Sequence, residues 1–194
     1  MQETVAIIGA GPLGRWLALA AARAGFRVLL EDVMPRNLHH AQEWLRQELG
    51  PEALGNVLGA GVAFVSTIED AVREADLVID CVPDELESKL EIFCLLDRMA
   101  PPRTVLATPS TRQSIADLAS CTYRPDRCIA IAAEAASLAA GESTEILLRT
   151  TRRTSAETIA LVERFWRRLG LAPSFEADPL ETGSGDFPIS EPRR

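Results

Sequence analysis

Residues 4–32 read TVAIIGAGPLGRWLALAAARAGFRVLLED, and three glycines and one aspartate in that stretch have the types and spacing for chemistry. Gly9, Gly11 and Gly14 follow a G-x-G-x-x-G pattern, and Asp32 comes eighteen residues after Gly14. Gly9 suits a tight turn. Gly11 lets the backbone approach a pyrophosphate with no Cβ between, and Gly14 allows a helix to pack closely on a strand. Pro12 and Leu13 complete the turn and belong to the same binding stretch. A helix opening there points free N–H groups at phosphates. Asp32 can accept hydrogen bonds from ribose hydroxyls and would repel a 2′-phosphate, which favours NAD(H) over NADP(H).

The surrounding elements must hold these four residues in register. Val5-Ala6-Ile7-Ile8 is apolar and β-branched, as a buried parallel strand requires. Leu13, Leu17 and Ala20-Ala21 fall on one helical face, Gly25 ends that helix, and Phe26 to Leu30 form a second strand. The alternation then continues. Strands are expected near 4–9, 26–31, 62–65, 76–81, 103–107 and 127–131, and helices near 12–24, 36–48, 84–99, 112–119 and 155–169. Glu145 to Arg149 and Leu171 to Phe175 read as two further strands. This pattern predicts an α/β fold of Rossmann type: one domain over 1–175 built on a doubly wound, mainly parallel sheet. Segment 50–61, punctuated by glycines, connects the second helix to the third strand. From Glu176 onward the chain turns to Gly, Pro, Ser and acids, so residues 176–194 read as a polar, disordered tail. In such a fold ligands lie outside the carboxyl ends of the strands, so residues 9–14, 32, 81–84 and 108–111 should share one crevice.

Composition bounds the partners. The chain has 194 residues, 47% hydrophobic and 25% charged, with a formal net charge of −8. That charge argues against nucleic acid and gives no reason to expect an anionic membrane surface. No basic segment precedes the first apolar run, and no run is long enough to span a bilayer, so a cytoplasmic location is the default expectation. Cys81, Cys94, Cys121 and Cys128 match neither C-x-x-C nor a zinc spacing and read as reduced structural thiols. The two histidines, His39 and His40, are adjacent on an expected helix at the adenosine side, so a metal site has little to draw on. Of 20 basic residues, Lys89 is the only lysine.

The order of these pieces resembles the NAD-binding domain of the 3-hydroxyacyl-CoA dehydrogenase family. The carrying motifs are VAIIGAGPLG, GFRVLLEDVMP, ADLVIDCVPDELESKLEIFCLLDRMAPPRTVLAT, and SIADLA followed by RPDRCIAI. They span about residues 4–175, and the long central block is the specific part. The resemblance implies NAD as cofactor, a place in fatty acid metabolism, and cofactor positions at Gly9, Gly11, Gly14 and Asp32. It implies further contacts at Cys81, Val82, Pro83 and Asp84, and at Lys89, the family's lysine position five residues beyond the acid. It also implies an acyl-CoA as a possible ligand and a helical partner domain or homodimer as possible associations.

Three departures from the family pattern bear on activity. The family's N-T-S-S motif aligns with Pro109, Ser110, Thr111 and Arg112, so Thr111 keeps the hydroxyl while proline replaces asparagine. The family's H-F-F-N-P aligns with Ala132, Ala133, Glu134, Ala135 and Ala136. The general-base histidine of the family is therefore Ala132 here. Glu134 is the nearest titratable substitute, and Glu145 falls near the family's orienting glutamate, with no histidine to orient. Thirdly, family members continue into a helical C-terminal domain, whereas this sequence passes into its polar stretch. A positioned base contributes about 10²–10⁴-fold to such a reaction, and alanine cannot supply it. Three readings remain open: an NAD(H)-binding protein with lost or strongly reduced dehydrogenase activity that acts as sensor, regulator or partner subunit; an active NAD-dependent oxidoreductase using a non-histidine base on a 3-hydroxyacyl-CoA or a related small hydroxy or keto substrate; and a structural or interaction protein with no ligand.

Overall fold

Strands and helices alternate along the chain because apolar β-branched runs alternate with amphipathic stretches, and a computed structural model shows how they assemble. The structure describes residues 3–50, 54, 61–133, 135–140 and 144–181. The strands are β1 (Thr4–Ile8), β2 (Arg27–Glu31), β3 (Gly61–Val65), β4 (Leu77–Asp80), β5 (Val105–Pro109), β6 (Cys128–Ile131), β7 (Glu145–Thr150) and β8 (Ala172–Ala177). The helices are α1 (Pro12–Arg23), α2 (Pro35–Leu49), α3 (Ile68–Val72), α4 (Leu86–Met99), α5 (Ile115–Ser120), α6 (Ala135–Ala140) and α7 (Ala156–Arg168).

The eight strands form one sheet in the order β3-β2-β1-β4-β5-β6-β7-β8. All neighbours are parallel except β6 and β7. The chain leaves β1 in one direction to build β2 and β3, then returns to the other side of β1 for β4, so the strand order reverses between β1 and β4. Ile8 is opposite Glu31 on one side and Asp80 on the other, which brings the ends of β1, β2 and β4 level.

Each inner strand is buried on both faces, and its residues alternate between two cores. On one face Val5, Ile7, Val28 and Leu30 pack with Leu17 of α1, Leu45 of α2 and Phe165 and Trp166 of α7. On the other, Ala6, Ile8, Leu29 and Val78 pack with Val72 of α3, Phe93 of α4 and Leu118 of α5. The α/β doubly wound fold expected from sequence is the fold found.

Several boundaries differ, for local reasons. Helix α3 was not anticipated; at five residues it is too short to show a period, and its signal is the cap, where the Thr67 side chain accepts from Asp70 N–H. Helix α6 was likewise missed, being nearly all alanine with no polar face to mark. Helix α5 opens at Ile115 rather than 112 because Ser114 caps it, accepting from Asp117 N–H. The expected domain end at 175 is too early. Strand β8 runs through Ala177, and the buried Asp178 accepts from Ser114 Oγ and from Ile115 N–H, each at 2.8 Å. A carboxylate at the N-terminus of α5 is favourable for the free N–H groups there, so the first residues assigned to the tail instead fasten β8 to α5. Residues 182–194, and most of the segment 50–61, lie outside the described residues.

The RPDRCIAI motif also has a structural explanation. Arg124 is buried, pairs with the Asp97 carboxylate at 2.8 Å, and donates to the carbonyls of Asp97, Ala100 and Pro101. It satisfies acceptors that the end of α4 leaves open.

Candidate functional site

The glycine turn closes on itself before it meets any ligand. Gly9 has φ +105°, and its N–H donates to Glu31 O at 2.7 Å, which ties the turn to β2. Gly14 sits so close to this turn that a Cβ there would lie 1.8 Å from Gly9 O. Gly11 is different. Its φ is −67° and ψ −173°, conformations open to any residue, and a Cβ there would meet nothing within 4 Å among the described residues. Gly9 and Gly14 are therefore glycine for the sake of the fold, whereas nothing among the described residues requires glycine at 11.

Asp32 stands at the end of β2, 8% exposed. Its Oδ2 accepts from Ala10 N–H at 2.9 Å and its Oδ1 from Met34 N–H at 2.8 Å. The Asn37 amide, in the first turn of α2, donates to both oxygens at 3.0 and 3.2 Å. These contacts fill the carboxylate's four acceptor positions. Asn37 is the one of these partners that donates from a side chain, and so the one that can turn away. Asn37 was not singled out from sequence; an amide five residues after the acid, in the opening turn of a helix, is the available signal.

Glu31 adds a second carboxyl beside Asp32. It is buried, and burial first, then the charge of Asp32, push its pKa from 4.5 up to about 7. In the unfolded chain it ionises near its ordinary value, so the unfolded state loses the proton first as pH rises. The group therefore costs no stability below about pH 4.5, and its full penalty is present above about pH 7. Glu31→Gln is expected to stabilise the protein by ~1–2 kcal/mol at pH 8 and by little at pH 5, less than full linkage because the strand end adjoins solvent. Urea unfolding of both proteins at the two pH values measures this; an equal difference at pH 5 and pH 8 would remove Glu31 as the cause.

Beyond the turn, the start of α1 and the carboxyl ends of β4, β5 and β6 border a crevice of about 560 Å³. Helix α1 contributes Leu13. The segment after β4 contributes Cys81, Val82, Pro83 and Asp84, the end of β5 and its loop contribute Pro109, Thr111 and Arg112, and the chain after β6 contributes Ala133 and Ala136. Of the residues expected at the cofactor, Leu13, Cys81, Val82, Pro83, Asp84 and Thr111 thus come together here. Pro109, Arg112, Ala133 and Ala136 join them.

The loop after β5 is tightly set. Ser110 Oγ donates to Asp84 Oδ1 at 2.7 Å and accepts from the N–H groups of Arg112 and Gln113 at 3.2 and 2.9 Å. Thr111 N–H lies 3.4 Å from Asp84 Oδ2. Asp84 therefore serves the loop, and Ser110 joins the two sides.

Lys89 does not reach the crevice. It is fully buried, as is Asp80, and its Nζ donates to Asp80 Oδ2 at 3.0 Å and to Val82 O at 3.1 Å. Thr108 Oγ1 donates to the same Asp80 oxygen at 2.6 Å, and Val82 N–H to the other at 2.8 Å. Burial pushes the Asp80 carboxyl above its ordinary range, and Lys89, Thr108 and Val82 N–H draw it back. Period-two alternation puts Asp80 on the face of the sheet that α4 covers, so a lysine in the first turns of α4 points down at the strand rather than out at a ligand. The lysine expected at the cofactor instead anchors the turn whose residues line the crevice.

The catalytic candidates divide. Thr111 lines the crevice. Glu145 is exposed at the start of β7, beside Arg167 and Gly170 in a separate surface depression. Glu134 lies outside the described residues. Ala132 continues the sheet, its N–H donating to Leu147 O at 2.8 Å. The Cys81 thiol is pushed well above its ordinary range, by burial first and then by Asp80, so it is no nucleophile near neutral pH. His39 and His40 are exposed on α2, with His39 Nε2 3.2 Å from Glu43. Among the described residues no histidine borders the crevice, no group of three or more His, Cys, Asp or Glu could hold a metal, and no helix is long and apolar enough to cross a membrane.

A doubly wound sheet with a glycine turn and an acid at its switch point defines a dinucleotide-binding domain. Residues 4–174 match the family model described as 3-hydroxyacyl-CoA dehydrogenase, NAD binding domain, and the chain belongs to that family. It is 32% identical over 136 residues to the probable 3-hydroxybutyryl-CoA dehydrogenase of Bacillus subtilis, covering 66% of this chain and 47% of that protein. It is 30% identical over 185 residues to the 5-formyl-3-hydroxy-2-methylpyridine 4-carboxylate 5-dehydrogenase of Mesorhizobium japonicum, covering 89% and 57%. The crystal structure of a 3-hydroxyacyl-CoA dehydrogenase from Archaeoglobus fulgidus superimposes with a TM-score of 0.75 at 26% identity, over 91% of this chain and 57% of that one. The chain thus spans about half the length of these relatives.

Proposed function

We propose that this chain binds NAD(H) and has lost, or strongly reduced, the dehydrogenase chemistry of its family, so that it works as a sensor, regulator or partner subunit. The observation that carries the cofactor reading is Gly11. It is a glycine that neither its backbone angles nor its neighbours explain, placed where a pyrophosphate would approach. Gly9, Gly11 and the opening turn of α1 would hold the pyrophosphate, and Asp32 would hold the adenosine ribose once Asn37 turns aside. The segment Cys81–Asp84 and Thr111 would face the nicotinamide half. Bound NAD supplies a hydride acceptor or donor; the chain's own part is to bind it, orient it and move the substrate proton.

Proton transfer is where the site is poor. Among the described residues bordering the crevice, the groups able to exchange a proton are Asp84, Cys81 and Thr111. Asp84 is engaged by Ser110, Cys81 is held as a thiol, and a threonine hydroxyl needs a base of its own. One observation favours the second reading, an active oxidoreductase on a small hydroxy or keto substrate. Thr111 borders the crevice, and a relative matched over most of this chain is named as the dehydrogenase of a substituted pyridine carboxylate.

NADH fluorescence titration of the purified chain tests the binding half: saturable binding is expected, and its absence at millimolar NADH overturns the reading. Turnover across a panel of 3-hydroxyacyl-CoA substrates tests the other half. Rates about 10²-fold or more below a histidine-bearing family member are expected, and comparable rates would establish the active enzyme instead.

A further inference from the structure

We propose that Arg112 makes the crevice a receptor for a small molecule bearing a free carboxylate, rather than for an uncharged thioester. Arg112 is the only cation among the described residues that border the crevice, whose other lining is mostly apolar, including Leu13, Val82, Pro83, Ala133 and Ala136. Its guanidinium is only loosely held. Nη2 donates to Asp84 O at 3.0 Å, Nε stands 3.7 Å from Asp84 Oδ2, too long for a hydrogen bond, and Nη1 has no partner among the described residues. Asp84 is its ion-pair partner, but that carboxylate takes its short hydrogen bond from Ser110 Oγ at 2.7 Å, so the guanidinium keeps unused hydrogen-bond donors at Nε and Nη1 among the described residues.

The side chain is 71% exposed, yet its backbone is not free. Ser110 Oγ accepts from Arg112 N–H and Gln113 N–H, which fixes the turn that carries Arg112 at the border of the crevice. A guanidinium presents paired donors that match a carboxylate edge on, and such charge-assisted contacts are the strong ones. The protein's net charge of −8 makes a local cation more necessary for an anionic ligand. The cofactor's pyrophosphate is a weaker claimant, because the glycine turn and α1 already provide for it on the other side of Leu13. A short acid whose carboxylate meets Arg112 would lay its apolar body against Ala133 and Ala136, where small side chains leave room.

This inference rests on the cofactor reading only for the seat of the pyrophosphate, so cofactor and acid are measured separately. The probes are acetoacetate, 3-hydroxybutyrate and succinate, each against its methyl ester, by ligand-observed NMR on the full chain with and without NADH. The acids are expected to bind in the millimolar range and the esters at least about fivefold more weakly. Arg112→Gln should weaken the acids about tenfold while NADH affinity and urea midpoint stay unchanged, and Arg112→Lys should restore part of the loss. Acids and esters binding alike, no acid binding at 20-fold excess over about 1 mM protein, or an Arg112→Gln variant that weakens NADH instead would each overturn the proposal. Failure of NADH to bind, with acid binding intact, would overturn the cofactor reading and leave this one standing.

Discussion

Lys89→Met is expected to lower the stability of the folded chain by about 3–5 kcal/mol, the usual consequence of leaving one member of a buried ion pair alone. Asp80 would keep the Thr108 hydroxyl and Val82 N–H but lose the only cation near it, inside a layer where neither side chain meets water. Against a total stability of about 5–15 kcal/mol, such a loss brings the domain near its limit. The deficit has a pH signature. An Asp80 without its lysine takes up a proton in the folded state far more readily than in the unfolded one, so its penalty is small at low pH and grows as pH rises past the ordinary carboxyl range. Urea midpoints should therefore separate wild type and Lys89→Met more at pH 8 than at pH 5. The double variant Asp80→Asn, Lys89→Met removes both charges and should lose less than the single one. A Lys89→Met protein with an unchanged midpoint and a weakened NADH affinity would return the lysine to the cofactor.

That lysine shows what a sequence can and cannot disclose. The doubly wound, mainly parallel sheet and a crevice at its strand ends were legible because each follows from a period or a punctuation: alternating apolar runs, the glycine turn, Pro83 after β4. The composition of the crevice was legible only in part: residues 81–84, Pro109 and Thr111 line it with Leu13, while Gly9, Gly11, Pro12, Gly14 and Asp32 are not among its lining residues. What was not legible depends on side-chain direction and on partners far along the chain. Lys89 and Asp80 are nine residues apart, and only the height of α4 above β4 decides that they meet rather than point at a ligand. Asp178 meets Ser114 across 64 residues, and nothing in a polar stretch following a short strand announces that its first carboxylate will cap a helix. Asn37 and Ser110 were missed for the same reason: both act by holding another residue's carboxylate, a role that composition and spacing do not mark. Arg112 falls in a motif position held by serine in the family, and its meaning appears only once the Asp84–Ser110 contact shows that its guanidinium keeps donors the ion pair with Asp84 does not use.

Gly11→Ala and Gly14→Ala should part company in a way that isolates the cofactor seat. At position 14 the new Cβ would lie 1.8 Å from Gly9 O, a backbone atom that cannot swing aside. Relief requires α1 to lift from β1, whose Ile7 side chain already stands 3.4 Å from the same point. A stability loss of at least about 3 kcal/mol is expected, at or beyond the upper end of ordinary overpacking, because the clash is with main chain rather than a flexible side chain. NADH binding should disappear with it, since the opening turn of α1 is displaced. At position 11 the opposite holds. The backbone angles suit alanine and no atom of the described residues stands within 4 Å, so the stability measured by urea unfolding should change by no more than about 1 kcal/mol in either direction. NADH affinity should nonetheless fall at least about tenfold, because the added methyl occupies the approach that a pyrophosphate needs. A variant that folds as well as the parent yet binds cofactor poorly cannot be explained by the fold. Undiminished NADH binding by Gly11→Ala would mean that this glycine answers to neither fold nor ligand, and the assignment of the turn as a pyrophosphate seat would fall.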